Sequence, residues 1–215
     1  KKKLISAATG TSDADFSKDK SYCILNHSDA STPTTYTLYK RGKKVKEVLN
    51  NNVVLAKLED YTYSQKEYFQ LETKDATLNS WILKPVDFDP NKQYPLLMVQ
   101  YSGPGSQEVH NSWNSYNDYW YQHLAQKGYI IACVDGRGTG FKGSDFKRVT
   151  YKELGKYETI DQIEAARLLG KRSYIDADRI GIWGWSFGGF MASNCLLKGN
   201  DVFSTAIAVA PVTSW

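Results

Sequence analysis

The sequence predicts an α/β protein built on a mostly parallel, doubly wound sheet, with a short antiparallel meander before it. Three observations carry that reading. Short, nearly continuous apolar runs at residues 96–99, 129–134, 180–183 and 206–209 have the character of strands buried on both faces. Helix patterns stand between them, and strands alternating with helices through right-handed crossovers wind a sheet on both sides. Third, one run turns abruptly into a helix through Gly184-Trp185-Ser186-Phe187-Gly188. That is the pattern of a nucleophile elbow, where a strained turn holds a serine at the C-terminal edge of a sheet.

Taken in order, residues 4–55 are polar and rich in Thr and Tyr, with strand-like runs at 22–25 and 35–39 and another at 45–49 after a Gly42 turn. This is an antiparallel meander. It has one propeller blade's worth of strands, although a single copy cannot display a repeat period. Asn50-Asn51-Asn52 marks a break, and 61–71 and 77–83 then alternate as strands around a Lys74-Asp75 turn. Residues 85–94 read as a loop. Helices are expected at 118–127, closed by Gly128, and at 158–169, with Ile160, Ile163, Ala166 and Leu169 on the buried face. A last helix follows Ser186 and stops at Gly199, read as a C′ glycine.

A hydrophobic content of 41% over 215 residues excludes a disordered chain, and no apolar run approaches the ~20 residues of a membrane span. The net charge of +4 is scattered apart from the clusters at 1–3 and 40–44, which read as solvated, so no nucleic-acid partner is expected. Cys23, Cys133 and Cys195 lack CxxC spacing and read as buried thiols, and His27, His110 and His123 lack metal-ligand spacing. No metal or cofactor is expected. The chain begins at Lys1 without a Met or a signal-peptide core, so it reads as an excised piece.

A serine hydroxyl needs a base to take its proton, and the resulting oxyanion needs donors aimed at it. One donor comes with the elbow, the backbone N–H of Phe187. The other belongs in the loop at 101–107, where no HGGG-type run stands. Tyr101 offers its phenol there; the alternative is an aromatic plug at the sheet edge. Residues 138–143 formally spell GxGxxG after a strand. Dinucleotide binding fails on context, since residues 144–147 read as loop rather than as a helix opened by the glycines.

Together, Tyr101-Ser102-Gly103-Pro104-Gly105-Ser106-Gln107, Asp135-Gly136-Arg137-Gly138, Asp161-Gln162-Ile163-Glu164-Ala165-Ala166-Arg167, Gly184-Trp185-Ser186-Phe187-Gly188-Gly189 and Ala208-Val209-Ala210-Pro211-Val212 resemble the dipeptide-releasing members of the prolyl oligopeptidase family, bacterial ones in particular. The resemblance spans the chain and is strongest from Tyr94 onward. It implies that residues 1–55 end a β-propeller and that 56–215 are the N-terminal, incomplete part of an α/β-hydrolase domain. It also implies a serine peptidase that releases N-terminal dipeptides with proline, or less well alanine, in second position. Ser186 matches the nucleophile, and the Tyr101 hydroxyl and Phe187 N–H match the oxyanion hole. Phe187, Val212 and Trp215 match walls of the proline pocket. The family commonly has tyrosine where this chain has Phe187, which would cost a hydroxyl contact in that pocket. A homodimer in a periplasmic, secreted or cell-surface setting is implied for the intact protein.

In α/β-hydrolases the triad runs Ser, Asp, His along the chain. Residues 187–215 contain no histidine, and their sole aspartate is Asp201. The base, its acid and the family's paired glutamates for the substrate amino terminus are therefore expected outside this chain, which by itself is expected to be inactive. Two alternatives stay open: an acylaminoacyl peptidase or oligopeptidase on the same scaffold, and a non-catalytic propeller-hydrolase relative that only binds.

Overall fold

The computed structural model describes residues 9–113 and 115–214. The described chain divides into two compact units, one running up to Gln65 and including His110–Tyr119, the other made of Lys66–Val109 and the residues from Trp120 onward.

The first unit is an antiparallel sheet in sequential order, β1 (Thr11–Phe16), β2 (Tyr22–Ser28), β3 (Thr35–Lys40) and β4 (Lys43–Leu49). The β3–β4 connection is a two-residue turn with Arg41 at φ 47° and Gly42 at φ 76°, the doubly left-handed geometry whose twist suits a tight hairpin. Cys23 and Leu25 point to the buried face of β2 while Tyr22 and Ile24 are exposed, as a period of two requires. The segment 110–119 joins this sheet through hydrogen bonds: the Thr11 hydroxyl donates to the Asn111 carbonyl (2.8 Å), the Ala30 N–H to Asn111 Oδ1 (2.9 Å) and the Trp113 N–H to Ser28 Oγ (3.1 Å). A helix that the sequence reading did not anticipate, α1 (Asn52–Leu58), follows the asparagine run; none of its residues is buried. It starts from Asn51 in a left-handed conformation (φ 58°), whose side-chain amide holds the Thr34 carbonyl.

The second unit is a six-stranded sheet of β5 (Lys66–Glu72), β6 (Thr77–Leu83), β7 (Tyr94–Val99), β8 (Ile130–Asp135), β9 (Ile175–Trp185) and β10 (Thr205–Val209), in the order β10-β9-β7-β8-β6-β5. β10, β9, β7 and β8 are mutually parallel, and β6 and β5 add an antiparallel edge. Every residue of β8 is buried. Its side chains alternate between two cores. Ile130, Ala132 and Val134 meet α4 (Tyr157–Gly170) and α5 (Phe187–Lys198), whereas Ile131 and Cys133 meet α2 (Ser115–Gln126) on the opposite face. The sheet is thus wound on both sides, as the alternation of strand and helix predicts. All three cysteines are free and buried, and burial pushes the Cys195 thiol up to about 12.

Three local expectations are corrected. Residues 144–147, read as loop, lie in a short helix, α3 (Ser144–Arg148). Ile160, placed on the buried face of α4, is 42% exposed, while Glu158, Thr159, Asp161 and Gln162 are buried instead. The rotation of α4 is set by polar contacts to the loops at the sheet's C-terminal edge, which periodicity does not see. Gly199 closes α5 at φ −126°, not in a left-handed cap; a Cβ there would come within 2.7 Å of the Ile163 side chain, so it is the space that calls for glycine.

Candidate active site

The parallel strands β7, β8 and β9 end side by side, and the turns that leave them converge, the usual location of a site in an open α/β sheet. The turn after β9 is the elbow. Ser186 sits there at φ 57°, ψ −116°, a left-handed conformation that a residue with a Cβ adopts only when its surroundings over-determine it. They do so here. The Ser186 N–H donates to the Val209 carbonyl at 2.9 Å. A Cβ on Gly184 would lie 2.3 Å from the Gly188 carbonyl oxygen, one on Gly188 2.6 Å from the Gln100 carbonyl oxygen, and one on Gly189 2.7 Å from the Val209 carbonyl oxygen. Each contact is shorter than any Cβ tolerates, so these three positions around the serine admit only glycine. Its hydroxyl makes no capping bond to α5.

Phe187 opens α5, so its N–H belongs to the first turn, whose donors have no acceptor within the helix. Its ring is buried, 4% exposed, between Tyr101 (centroids 6.1 Å) and Phe190 (5.5 Å). Tyr101 follows β7 after a single residue, Gln100. Its half-buried ring lies against Gly103, where a Cβ would come within 2.3 Å of the ring. The structure therefore brings Ser186, Phe187 and Tyr101 together. Val212 lies just beyond β10, 36% exposed, one residue after Pro211, whose Cα approaches the elbow at Gly189. Trp215 lies outside the described residues.

The loop that carries Tyr101 is held by contacts that the sequence alone does not reveal. The Gly105 N–H donates to the Gly138 carbonyl (2.8 Å) and the Gly140 N–H to the Ser106 carbonyl (2.7 Å), which joins the turns after β7 and β8. Asp135 accepts the N–H groups of Glu108 (3.1 Å) and Val109 (2.9 Å) at the far end of the loop. Burial pushes the Asp135 carboxyl up to about 6, against the pull of those two donors. Burial and the neighbouring Asp135 also raise Glu108. Asp161, fully buried, takes the Arg137 backbone N–H (2.6 Å) and grips its guanidinium through Nε (3.0 Å) and Nη2 (2.6 Å), which raises the Arg137 pKa. Gln162 donates to the Val134 carbonyl (2.7 Å) and the Ser102 hydroxyl (3.3 Å). The legible signal for this set was a pair of polar residues, Asp161-Gln162, beside the apolar Ile163, Ala165 and Ala166.

Residues 114–215 match the prolyl oligopeptidase family. The crystal structure of Porphyromonas gingivalis dipeptidyl peptidase 4 superposes with a TM-score of 0.94 and 45% identity, covering 98% of this chain and 30% of that one. The dipeptidyl peptidase 4 proteins of Trichophyton equinum and Trichophyton tonsurans are each 37% identical over 206 residues, 94% of this chain and 27% of theirs. The chain thus spans just over a quarter of the length of these relatives. The structural likeness bears out the fold expected from sequence, antiparallel strands that end a propeller followed by the start of an α/β-hydrolase domain. The elbow, the Arg137–Asp161 pair and β10 all lie inside residues 114–215, the stretch that matches the prolyl oligopeptidase family.

Proposed function

We propose that the intact protein is a serine dipeptidyl peptidase that releases N-terminal dipeptides with proline, or less well alanine, in second position, with Ser186 as its nucleophile. The observation that carries this reading is the backbone of Ser186, a non-glycine residue at φ 57° in a turn whose Gly184, Gly188 and Gly189 have no room for a Cβ. In the reaction, Ser186 Oγ bonds to the scissile carbonyl carbon as its proton passes to a base. The oxyanion is met by the Phe187 N–H and the Tyr101 hydroxyl, and the amine leaves with the transferred proton, giving an acyl-enzyme that water cleaves. Phe187, Val212 and Trp215 are the proposed walls of the proline pocket. The substrates are peptides, and by family likeness the intact protein is proposed to be a homodimer, which sedimentation can test.

The base and its acid would follow Ser186 in chain order, and residues 187–215 hold no histidine. This chain on its own is therefore proposed to be inactive. The test uses Gly-Pro and Gly-Ala chromogenic substrates, with free and blocked amino termini, on the intact protein, its Ser186→Ala variant and the chain alone. Turnover of the free forms only, lost in Ser186→Ala and absent from the chain alone, is expected. Preference for blocked substrates would move the protein to the acylaminoacyl peptidases, and Ser186-dependent turnover by the chain alone would place the base within it.

A further inference from the structure

The two proposed oxyanion donors stand on different segments, Tyr101 at the end of β7 and Phe187 at the start of α5, and one side chain ties the segments together. Gln100, the residue before Tyr101, is 5% exposed at the end of an apolar strand. Its Nε2 donates to the carbonyl of Gly188, the residue after Phe187, at 2.8 Å, with a longer approach to the Trp183 carbonyl at 3.5 Å. The amide can face only one way, because the reverse orientation would set Oε1 against those carbonyl oxygens. Its backbone joins the same contact. The Gln100 N–H donates to the Trp183 carbonyl (3.3 Å), and its carbonyl oxygen sits where a Cβ on Gly188 would be (2.6 Å). Gly184 is also required by this side chain, since a Cβ there would fall 2.6 Å from Nε2.

Core filling does not explain a glutamine here. Its Oε1 is buried and meets no donor among the described residues, so an apolar residue of the same length would fill the strand position without a polar oxygen to satisfy. What an apolar residue lacks is the donor to Gly188.

We propose that Gln100 is a positioning residue for the nucleophile elbow: by holding the Gly188 carbonyl from the residue next to Tyr101, it fixes the Phe187 N–H and the Tyr101 hydroxyl relative to Ser186. The proposal rests on the assignment of Ser186, Phe187 and Tyr101 made above. Gln100 touches none of the reacting atoms and acts through the backbone it grips. Displacements of the order of 1 Å in a reacting geometry cost roughly 100-fold in rate.

The experiment uses the intact protein with a Gly-Pro chromogenic substrate and a fluorophosphonate label. Gln100→Met keeps length and burial and removes the donor; kcat and the labelling rate are expected to fall roughly 10- to 100-fold while KM stays within about twofold. Gln100→Glu supplies the second readout, and decides the matter if the methionine variant does not fold. A protonated glutamic acid can donate to the Gly188 carbonyl and an ionised one cannot, so its activity relative to wild type should rise as pH falls. Wild-type kcat and labelling in Gln100→Met, or a Gln100→Glu pH profile parallel to wild type, overturns the proposal. If Ser186→Ala keeps its activity, the assignment of the nucleophile has failed instead, which the Gln100 variants alone would not reveal.

Discussion

The turn after β8 and the turn after β9 are both glycine-rich and both leave the C-terminal end of a parallel strand, yet different forces hold them. The β8 turn is held by charge. Asp135 anchors its start and the fully buried Asp161 clamps Arg137, while its left-handed positions fall at Gly138, Phe141 and Gly143. The β9 turn contains no charged residue, and its left-handed position is taken by Ser186 while glycines fill the crowded places around it. The first turn leaves its one non-glycine left-handed residue, Phe141, 84% exposed; the second uses glycine so that a serine can be held in strain against crowded backbone. The pattern GxGxxG after β8 thus builds a scaffold, and GxSxG after β9 displays a hydroxyl.

The contrast can be broken at either turn. The largest expected effect is at Ser186. Replacing it with alanine in the intact protein should cut kcat by on the order of 10⁶, as removal of a catalytic serine from a triad does, with the melting temperature unchanged or raised as the side chain above the sheet is trimmed. A fluorophosphonate adduct on another residue would show that the strain at the elbow serves something else. Asp161→Ala should act through stability. It leaves the Arg137 guanidinium, 13% exposed, with the half-exposed Asp75 at 3.7 Å as its remaining carboxylate among the described residues and the Tyr157 ring 5.1 Å away. Breaking a buried pair on one side costs about 3–5 kcal/mol, which denaturant unfolding of the intact protein would measure. A loss below about 1 kcal/mol, the range of exposed pairs, would show that the clamp is solvated.

How far the sequence reads follows the same division. The elbow was legible because its chemistry is local: a strand, a serine among glycines and a helix follow one another without a gap. The parallel strands were legible because β7, β8 and the second half of β9 each carry a short, nearly continuous apolar run. The scaffold turn was not, because its partners are remote in sequence. Arg137 meets Asp161 across 24 positions and Gln100 meets Gly188 across 88. No window of periodicity contains both ends of such a bond. The same contacts explain the misplaced face of α4, where Asp161 and Gln162 turn inward and Ile160 outward. Helix α1 was missed for a different reason: an apolar run as short as Val53-Val54-Leu55-Ala56 does not by itself distinguish helix from strand.

Between the two turns stands Tyr101, and its hydroxyl tests which of them it serves. Tyr101→Phe keeps the ring against Gly103 and Phe187 and removes only the phenolic donor. Loss of one oxyanion donor lowers kcat by about 10²–10³, or about 3–4 kcal/mol, with little change in KM. If kcat instead stays within about threefold of wild type, Tyr101 is packing at the sheet edge and belongs with the scaffold.

The smallest effect, and the one that isolates the charged turn, is at Asp135. Its carboxyl is raised to about 6 from the 3.8 of an unperturbed aspartate, chiefly by burial, with the Glu108 and Val109 N–H donors pulling the other way. Between about pH 4 and 6 the unfolded chain has lost this proton while the folded protein keeps it, so the folded state binds more protons and its stability falls as pH rises through that window. Below the window the penalty is absent; above it the penalty is complete, at most about 3 kcal/mol for a shift of this size. Asparagine cannot ionise, and one amide oxygen placed at Oδ2 can still accept both N–H groups, since both already reach that atom in the wild type at 3.1 and 2.9 Å. Melting temperatures of the intact Asp135→Asn protein should therefore decline less between pH 4 and 6 than those of wild type. The elbow has no ionisable group, so Ser186→Ala should leave the wild-type slope untouched. If the Asp135→Asn curve runs parallel to wild type, Asp135 ionises as freely folded as unfolded, and the β8 turn is held by its glycines after all.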